Sequence, residues 1–190
     1  RRLAGALEEA YEAGYFGTGI LGTDFACDLV VYRGAGSYVC GEASALITSI
    51  EGKRGYPRNR PPRLTVRGLY QKPTVINNVE TLSNIAWIIA NGGEAFKKIG
   101  HAKDPGTRLI SISGHIARPG VYEIEYGYPL KTFLYDDCGG MLGGRKLKCI
   151  VPGGISTKVL TAEECEPLTY DKESFEAAGS SLGSGGMIVI

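Results

Sequence analysis

The sequence predicts an α/β, Rossmann-like segment followed by a smaller α+β domain with the strand order of a β-grasp. Three observations support this division. A short apolar run, a glycine-rich turn and an amphipathic helix follow one another between residues 28 and 51. Polar and chain-breaking residues cluster at 100–106, and an alternating pattern typical of strands dominates after them. We therefore expect the first part to span residues 1–103 and the second to span residues 104–190.

The first part combines three predicted helices with one predicted strand. A helix over 1–13 ends at Gly14. The β-branched and aromatic run at 28–33 is typical of a buried strand. Leucine and isoleucine recur at helical spacing over 42–51 and again over 79–91, which indicates two helices that each pack one face against a core. In the last of these helices the apolar stripe consists of Leu82, Ile85, Ala86, Ile89 and Ala90.

The second part shows mainly strand patterns. Apolar and polar residues alternate at 109–113 and 120–125, as in the two strands of a hairpin. A short helix is predicted over 129–138, with proline in its first turn. Two more strands are predicted at 147–151 and 187–190. Two strands, one helix and two further strands are the element order of a β-grasp domain.

Composition favours a globular protein and excludes several function classes. A net charge of +1 gives no electrostatic signature of a nucleic-acid partner. The 28 glycines are about twice the usual frequency, which favours loops and ligand sites. No segment is typical of a signal peptide or a membrane span, and the five cysteines form no C-x-x-C pair. We expect reduced thiols in a cytoplasmic protein, or one at the cytoplasmic face of a membrane without direct insertion.

The glycine-rich turn at 34–41 lies where a predicted strand passes into a helix, which is a common position for phosphate binding. Its glycines can adopt positive φ or let a ligand approach the backbone. The turn does not match the dinucleotide fingerprint, because Val39 stands where the third glycine belongs. It does not match the P-loop either, because Glu42 and Ala43 replace lysine and serine or threonine. An ordinary tight turn and a loop that binds a phosphate or flavin both stay open at this point.

Three sequence blocks resemble a known family. They are GAGSYVCGE at 34–42, IEGKRGYPR at 50–58 and KPTVINNVETL at 72–82. In this order they resemble the NADH-binding flavoprotein subunit of respiratory complex I and of related NAD(P)-linked hydrogenases and formate dehydrogenases. The resemblance covers essentially the whole chain, and the second part is similar to the soluble-ligand-binding β-grasp domain of that family.

The resemblance implies that the chain lines one side of an FMN pocket. Asparagine and threonine side chains would bond the flavin or its phosphate, and Glu42 would lie beside the nicotinamide and the flavin. The implied cofactor-binding residues are Gly34, Gly36, Tyr38, Gly41, Glu42, Asn77, Asn78 and Thr81. From the residues alone, Asn78 is also a good helix N-cap and Glu42 a favourable anion at a helix start. Capping and ligand binding do not exclude each other.

The resemblance also implies an activity. A subunit of this family takes a hydride from NAD(P)H onto FMN and passes electrons on, with iron–sulfur subunits of a multisubunit oxidoreductase as partners. It places another glycine-rich loop before Arg1 and the cysteines of a [4Fe–4S] cluster after Ile190, so we expect this chain by itself to be inactive. No catalytic residue and no metal site is predicted, because His101 and His115 are more typical of turn residues than of bases. The alternative is a non-enzymatic β-grasp module that binds a ligand or a partner.

Two positions depart from the respiratory members of that family. Many members carry a second glutamate at the adenosine ribose, where this sequence has Ala43, and commonly an aromatic residue at the adenine, where it has Arg63. A carboxylate at the ribose also disfavours a 2′-phosphate. These departures favour the hydrogenase or formate dehydrogenase branch and leave NAD(H) and NADP(H) both open. The basic run over 53–67 is either a solvated loop or a rim that attracts phosphates.

Overall fold

The computed structural model describes all 190 residues, and the chain divides into two compact units, Arg1–Asn77 and Asn78–Ile190. This division precedes the predicted domain boundary, and the helix that follows Asn78 is hydrogen-bonded to a strand of the second unit. In particular, Glu80 Oε1 accepts a hydrogen bond from Leu109 N at 3.0 Å. The domain boundary between residues 103 and 104 stays a prediction.

The elements are mostly short. The helices are α1 (Arg2–Glu12), α2 (Ala43–Ile50), α3 (Val79–Asn91), α4 (Gly93–Phe96), α5 (Leu130–Thr132), α6 (Ala162–Cys165) and α7 (Lys172–Ala177). The strands are β1 (Thr107–Gly114), β2 (Gly120–Glu125), β3 (Cys149–Val151), β4 (Leu160–Thr161) and β5 (Gly186–Val189). None of the helices combines the length and the hydrophobicity that a membrane span requires.

The first unit consists of helices, turns and extended segments. Helices α1 and α2 form where the sequence predicts them. The predicted strand at 28–33 is wrong, because the segment joins no sheet and the side chain of Val30 is 82% exposed. A strand needs a neighbouring strand to satisfy its N–H and C=O groups, and the first unit offers only an isolated bridge between Gly17 and Cys27. The Rossmann-like sheet predicted for this part is therefore not formed within the unit.

The second unit is built on one five-stranded sheet with the order β2-β1-β5-β3-β4. Strand β1 pairs antiparallel with β2 and parallel with β5, and β3 pairs antiparallel with both β5 and β4. All four predicted strands form, with bounds shifted by a few residues. The sequence did not predict β4, which has two residues, or the short helices α6 and α7.

The core of the second unit lies between the sheet and one helical segment. Helix α5 continues as a wider, π-type turn over Phe133–Asp137, so the predicted helix is present but changes its winding. Leu130 and Phe133 are fully buried, and the ring of Tyr122 meets that of Phe133 edge to face at 5.5 Å. Strands β1 and β3 contribute Ile110 and Ile150, both fully buried, to the same cluster.

Helix α3 has the predicted bounds but not the predicted packing. Leu82, Ile85 and Ile89 were expected to face a core, yet they are 51%, 41% and 79% exposed. No residue of α3 is buried. The apolar spacing therefore predicted the helix correctly, but the apolar stripe of α3 is largely exposed.

Candidate functional site

Helix α2 begins at Glu42, and the carboxylate of Glu42 caps its own helix. Its Oε2 accepts hydrogen bonds from Ser44 Oγ at 2.5 Å and from Ala45 N at 2.8 Å. Its Oε1 lies 3.7 Å from Arg60 Nη2. The Ser44 hydroxyl first, then the backbone amides, lower the pKa of Glu42, so this carboxylate is ionised at neutral pH. The helix start therefore already carries the anion of Glu42 at the place where the sequence left phosphate binding open.

The loop before α2 presents open backbone. The amides of Gly34, Ala35 and Gly36 donate no hydrogen bond within the chain. Gly36 has φ +77°, which favours glycine, and a Cβ at Gly34, Gly36 or Gly41 would meet no atom within 4 Å. The ring of Tyr38 is 92% exposed. The loop thus offers free donors and an accessible aromatic ring to a ligand.

The paired asparagines have different roles in the two units. Asn78 caps α3, because its Oδ1 accepts a hydrogen bond from Glu80 N at 2.8 Å, which confirms the capping prediction. Asn77, the last residue of the first unit, has an exposed side chain with no hydrogen bond inside the chain. Thr81 lies exposed in the first turn of α3. The predicted residues Gly34, Gly36, Tyr38, Gly41, Glu42 and Asn77 belong to the first unit, and Asn78 and Thr81 belong to the second.

An ion pair behind the loop was not predicted from the sequence. Arg58 Nη2 bonds Glu51 Oε2 at 2.7 Å, and the side chain of Glu51 is only 6% exposed. Arg58 also donates to Thr48 Oγ1 at 2.9 Å and to the carbonyl of Gly68 at 3.3 Å. The bond from Arg58 is the first cause that lowers the pKa of Glu51. Arg58 therefore has a structural role within the basic run.

The same network ties the capped helix to the following loops. Ser44 Oγ, which donates to Glu42, accepts a hydrogen bond from Arg58 N at 2.8 Å. Glu51 Oε1 accepts one from Tyr70 N at 2.8 Å. The residues joined here are 14 and 19 positions apart, so no local sequence pattern could have revealed them.

A cleft of about 600 Å³ lies beside Ala43 in the first unit. Arg60 and Arg63 both line it. Arg63 makes no ion pair, and the only carboxylate near Arg60 is that of Glu42 at 3.7 Å. No carboxylate lines the cleft, whose apolar walls come from Pro61, Leu64, Val75 and Ile76. The cleft is therefore lined by two arginines, of which Arg63 is unpaired and Arg60 is partly neutralised by Glu42, and this positive lining favours an anion.

The cysteines and histidines form neither a disulfide nor a metal site. All five cysteines are free thiols, and burial raises the pKa of Cys165 to about 12. No group of three or more histidine, cysteine, aspartate or glutamate side chains is arranged to hold a metal ion. His115 lies directly after β1, where its amide bonds the carbonyl of Val189 at 2.8 Å.

Two known protein families match the two parts of the chain. Residues 1–87 match the family model of the Nuo51 FMN-binding domain, and residues 108–176 match that of the SLBB domain. The chain belongs to the Nuo51 flavoprotein family. The open amides of the glycine-rich loop and the free amide of Asn77 are donors of the kind that a flavin mononucleotide requires, so the residues of this Nuo51-family chain fit that cofactor.

Several members of the Nuo51 family are similar in sequence over nearly the whole chain. An NADH-quinone oxidoreductase subunit of Rhizobium meliloti is 46% identical over 190 residues, which are 100% of this chain and 45% of that protein. The corresponding NADH-quinone oxidoreductase subunit of Mycobacterium bovis is 50% identical over 185 residues, which are 97% of this chain and 41% of that protein. The chain thus spans less than half the length of these relatives.

A solved structure shows the same architecture. The crystal structure of NAD⁺-reducing [NiFe]-hydrogenase in the air-oxidized state aligns with a TM-score of 0.75 and 34% identity. The alignment covers 100% of this chain and 30% of the hydrogenase chain. Relatives of this Nuo51-family chain therefore occur both in quinone oxidoreductases and in a hydrogenase.

Proposed function

We propose that this chain forms one side of a site for FMN and NAD(P)H in the flavoprotein subunit of a multisubunit oxidoreductase. FMN, when bound, accepts a hydride and releases electrons singly, in this case to iron–sulfur clusters of the same or partner subunits. The observation that carries the proposal is the run of unpaired amides at Gly34, Ala35 and Gly36, in a segment that matches an FMN-binding domain. The cytoplasm, or the cytoplasmic face of a membrane, is the compartment we propose.

The residues of the chain have distinct tasks in the proposed site. Gly34, Gly36 and Gly41 keep the loop backbone accessible to the flavin. Glu42 supplies a fixed negative charge and not a base, because its Oε2 is occupied by two donors and its pKa is lowered. Asn77 offers its free amide. The exposed Tyr38, the cap Asn78 and the neighbouring Thr81 complete the proposed set.

We also propose that the second unit contains a β-grasp domain. A central parallel pair of β1 and β5, flanked by β2 on one side and by β3 and β4 on the other, with one helical segment against the sheet, supports this assignment. The proposed domain boundary between residues 103 and 104 falls between the two family matches, which end at 87 and begin at 108.

The test of the FMN proposal uses flavin fluorescence. We expect the 190-residue chain to bind FMN more weakly than a longer natural polypeptide that contains it, because its relatives are more than twice as long and their additional residues would supply further contacts. In the longer polypeptide, Asn77→Ala should lower FMN affinity by about fivefold or more, since one hydrogen bond of about 1 kcal/mol is lost. Asn77→Ala should not change thermal stability, because the side chain has no partner in the chain.

The matched changes separate cofactor binding from capping. Asn78→Ala should lower both FMN affinity and stability, the latter by about 1 kcal/mol, because the cap of α3 is removed. Asn91→Ala at the other end of α3 should leave FMN affinity unchanged. Full FMN affinity in both Asn77→Ala and Asn78→Ala, with a stability change only for the latter, would favour a purely structural role.

We propose that the cleft beside Ala43 admits NADP(H) as well as NAD(H). A carboxylate at this position would repel a 2′-phosphate, whereas Arg60 and Arg63 attract one. In a longer natural polypeptide, Ala43→Glu should shift the ratio of kcat/KM towards NADH by about tenfold to a hundredfold. Ala43→Gln is the control for side-chain size. An unchanged ratio for Ala43→Glu would contradict the proposal.

A further inference from the structure

The second unit contains a cleft of about 380 Å³ between the α5 segment, the loop before β3 and helix α6. Its floor is made of core residues, since Leu134, Leu147 and Cys165 are 1%, 9% and 3% exposed. Burial raises the pKa of the Cys165 thiol to about 12, so the floor is uncharged at neutral pH. The volume lies within the range of small-molecule sites, about 300 to 1,000 Å³.

The rim of this cleft is charged and only partly neutralised. Lys131 and Glu166 form an ion pair that joins its two helical walls. Arg145 and Lys146 also line the cleft, are exposed, and make no ion pair or side-chain hydrogen bond. Glu163 is the one lining carboxylate without a cation partner. The rim therefore carries two unpaired cations, Arg145 and Lys146, and one unpaired carboxylate, Glu163.

The two free cations are held by a turn rather than by a flexible terminus. Gly143 and Gly144, directly before Arg145, have φ +68° and +69°. This left-handed pair of residues favours glycine and ends the short turn that begins at Leu142. Leu147, directly after Lys146, is buried in the core. The dibasic pair therefore links an exposed glycine turn to a residue of the core.

We propose that this cleft binds a small amphipathic monocarboxylate. The apolar tail lies on the floor of Leu134, Leu147 and Cys165, and the carboxylate bonds Arg145 and Lys146. An apolar floor with few, convergent charges is the usual composition of a small-molecule site, and guanidinium groups form the strongest hydrogen bonds with carboxylates. The free carboxylate of Glu163 disfavours more highly charged anions. The site shares no residue with the proposed FMN and nucleotide site and does not depend on it.

The ion pair between Lys131 and Glu166 predicts that one substitution in the cleft strengthens carboxylate binding instead of weakening it. Lys131 is neutralised by Glu166, so it does not contribute fully to the attraction of an anion. Glu166→Gln removes the carboxylate and keeps the shape of the side chain. This substitution should therefore tighten binding of a carboxylate, whereas a site that merely tolerates apolar molecules would not respond to it.

The experiment is calorimetric titration of the 190-residue chain with octanoate and, separately, with 1-octanol. We expect octanoate to bind at least about tenfold more tightly, because only the anion can pair with the dibasic rim. Arg145→Gln with Lys146→Gln should weaken octanoate by about tenfold or more and leave octanol unchanged. Lys148→Gln, an exposed neighbour that does not line the cleft, is the matched control and should bind octanoate like the wild type.

A further variant tests whether binding depends on the volume of the cleft, which Ala162 also lines. Ala162→Leu places additional volume in the cleft without changing charge and should abolish binding of both compounds. Circular dichroism shows whether Ala162→Leu folds. If Ala162→Leu does not fold, the test rests on the double variant of the exposed residues Arg145 and Lys146. Absence of octanoate binding to the wild type, equal affinity for octanoate and octanol, or equal losses in Lys148→Gln and the double variant would each overturn the proposal.

Discussion

The two units of the chain are stabilised in different ways. Of the apolar side chains that are buried, only Ala45 and Ile47 lie in the first unit; the rest lie in the second unit, and all of those except Val151 form one core. The first unit depends instead on a helix capped by Glu42 and on the hydrogen bonds of Arg58. Burial of apolar surface is the dominant favourable term in folding, so the second unit is the stable part of the chain.

This difference explains where the proposed cofactor loop is located. Ligand-binding loops come from the less stable parts of proteins, because they must expose polar groups that a core would bury. The loop with Gly34 and Gly36 belongs to the unit with little core, and its free amides have no competing partner within the chain. The well-packed sheet of the second unit contributes no residue to that loop.

The largest effect that we predict comes from the core of the second unit. Leu130→Ala removes a fully buried side chain and should lower the free energy of unfolding by about 2 to 5 kcal/mol. Leu3→Ala, on α1 of the first unit, changes a side chain that is 64% exposed and should stay within about 0.5 kcal/mol. Urea unfolding followed by circular dichroism measures both. Equal losses would contradict the contrast between the units.

The next effect concerns the first unit alone. Arg58→Ala removes side-chain hydrogen bonds to Glu51, Thr48 and the carbonyl of Gly68, and should cost about 1 kcal/mol or more. We expect faster proteolysis within residues 42–72 and unchanged protection of the strands. Arg67→Ala, in the same basic run and without an ion pair, is the control. If Arg67→Ala has the same effect, the network is not what holds these loops together.

The smallest effect is the dependence of the Arg58 contribution on pH. The pKa of Glu51 is lowered below 4.5 in the folded chain, chiefly by its bond from Arg58. The folded state therefore binds fewer protons than the unfolded state, and this stabilisation is present above pH 4.5 and lost as the pH falls through the lowered pKa. The difference in proteolysis rate between wild type and Arg58→Ala should therefore shrink as the pH falls below 4.5. A difference that stays constant at every pH below 4.5 at which the chain remains folded would contradict this cause.

The fold was predictable where a pattern and its partner lie in the same unit. Alternation at 109–113 and 120–125 predicted strands that pair with each other as β1 and β2. The run at 28–33 has equally good strand composition but no partner in its unit, so it forms none. Periodicity likewise predicted α3, although not the exposure of Leu82 and Ile89. Local sequence specifies a tendency, and tertiary contacts decide whether it is realised.

In the candidate site, the helix caps were predictable from the sequence, but the hydrogen bonds of Arg58 were not. Asn78 and Glu42 precede apolar helices, so their capping follows from local chemistry. The bonds from Arg58 to Thr48 and Glu51 depend on a chain reversal that no local pattern encodes. Arg58 therefore looked like any other member of the basic run. The cofactor-binding roles of the loop residues rest on family resemblance and stay predictions.

Hydrogen exchange of the 190-residue chain, measured by mass spectrometry without added FMN, tests the contrast between the units most directly. We predict slow exchange in β1, β5 and the α5 segment, whose amides are bonded within a buried core. We predict fast exchange over residues 28–37, whose amides are exposed and largely unpaired. Protection over 28–37 equal to that of β1 would contradict the account, because it would require a partner for this segment within the chain.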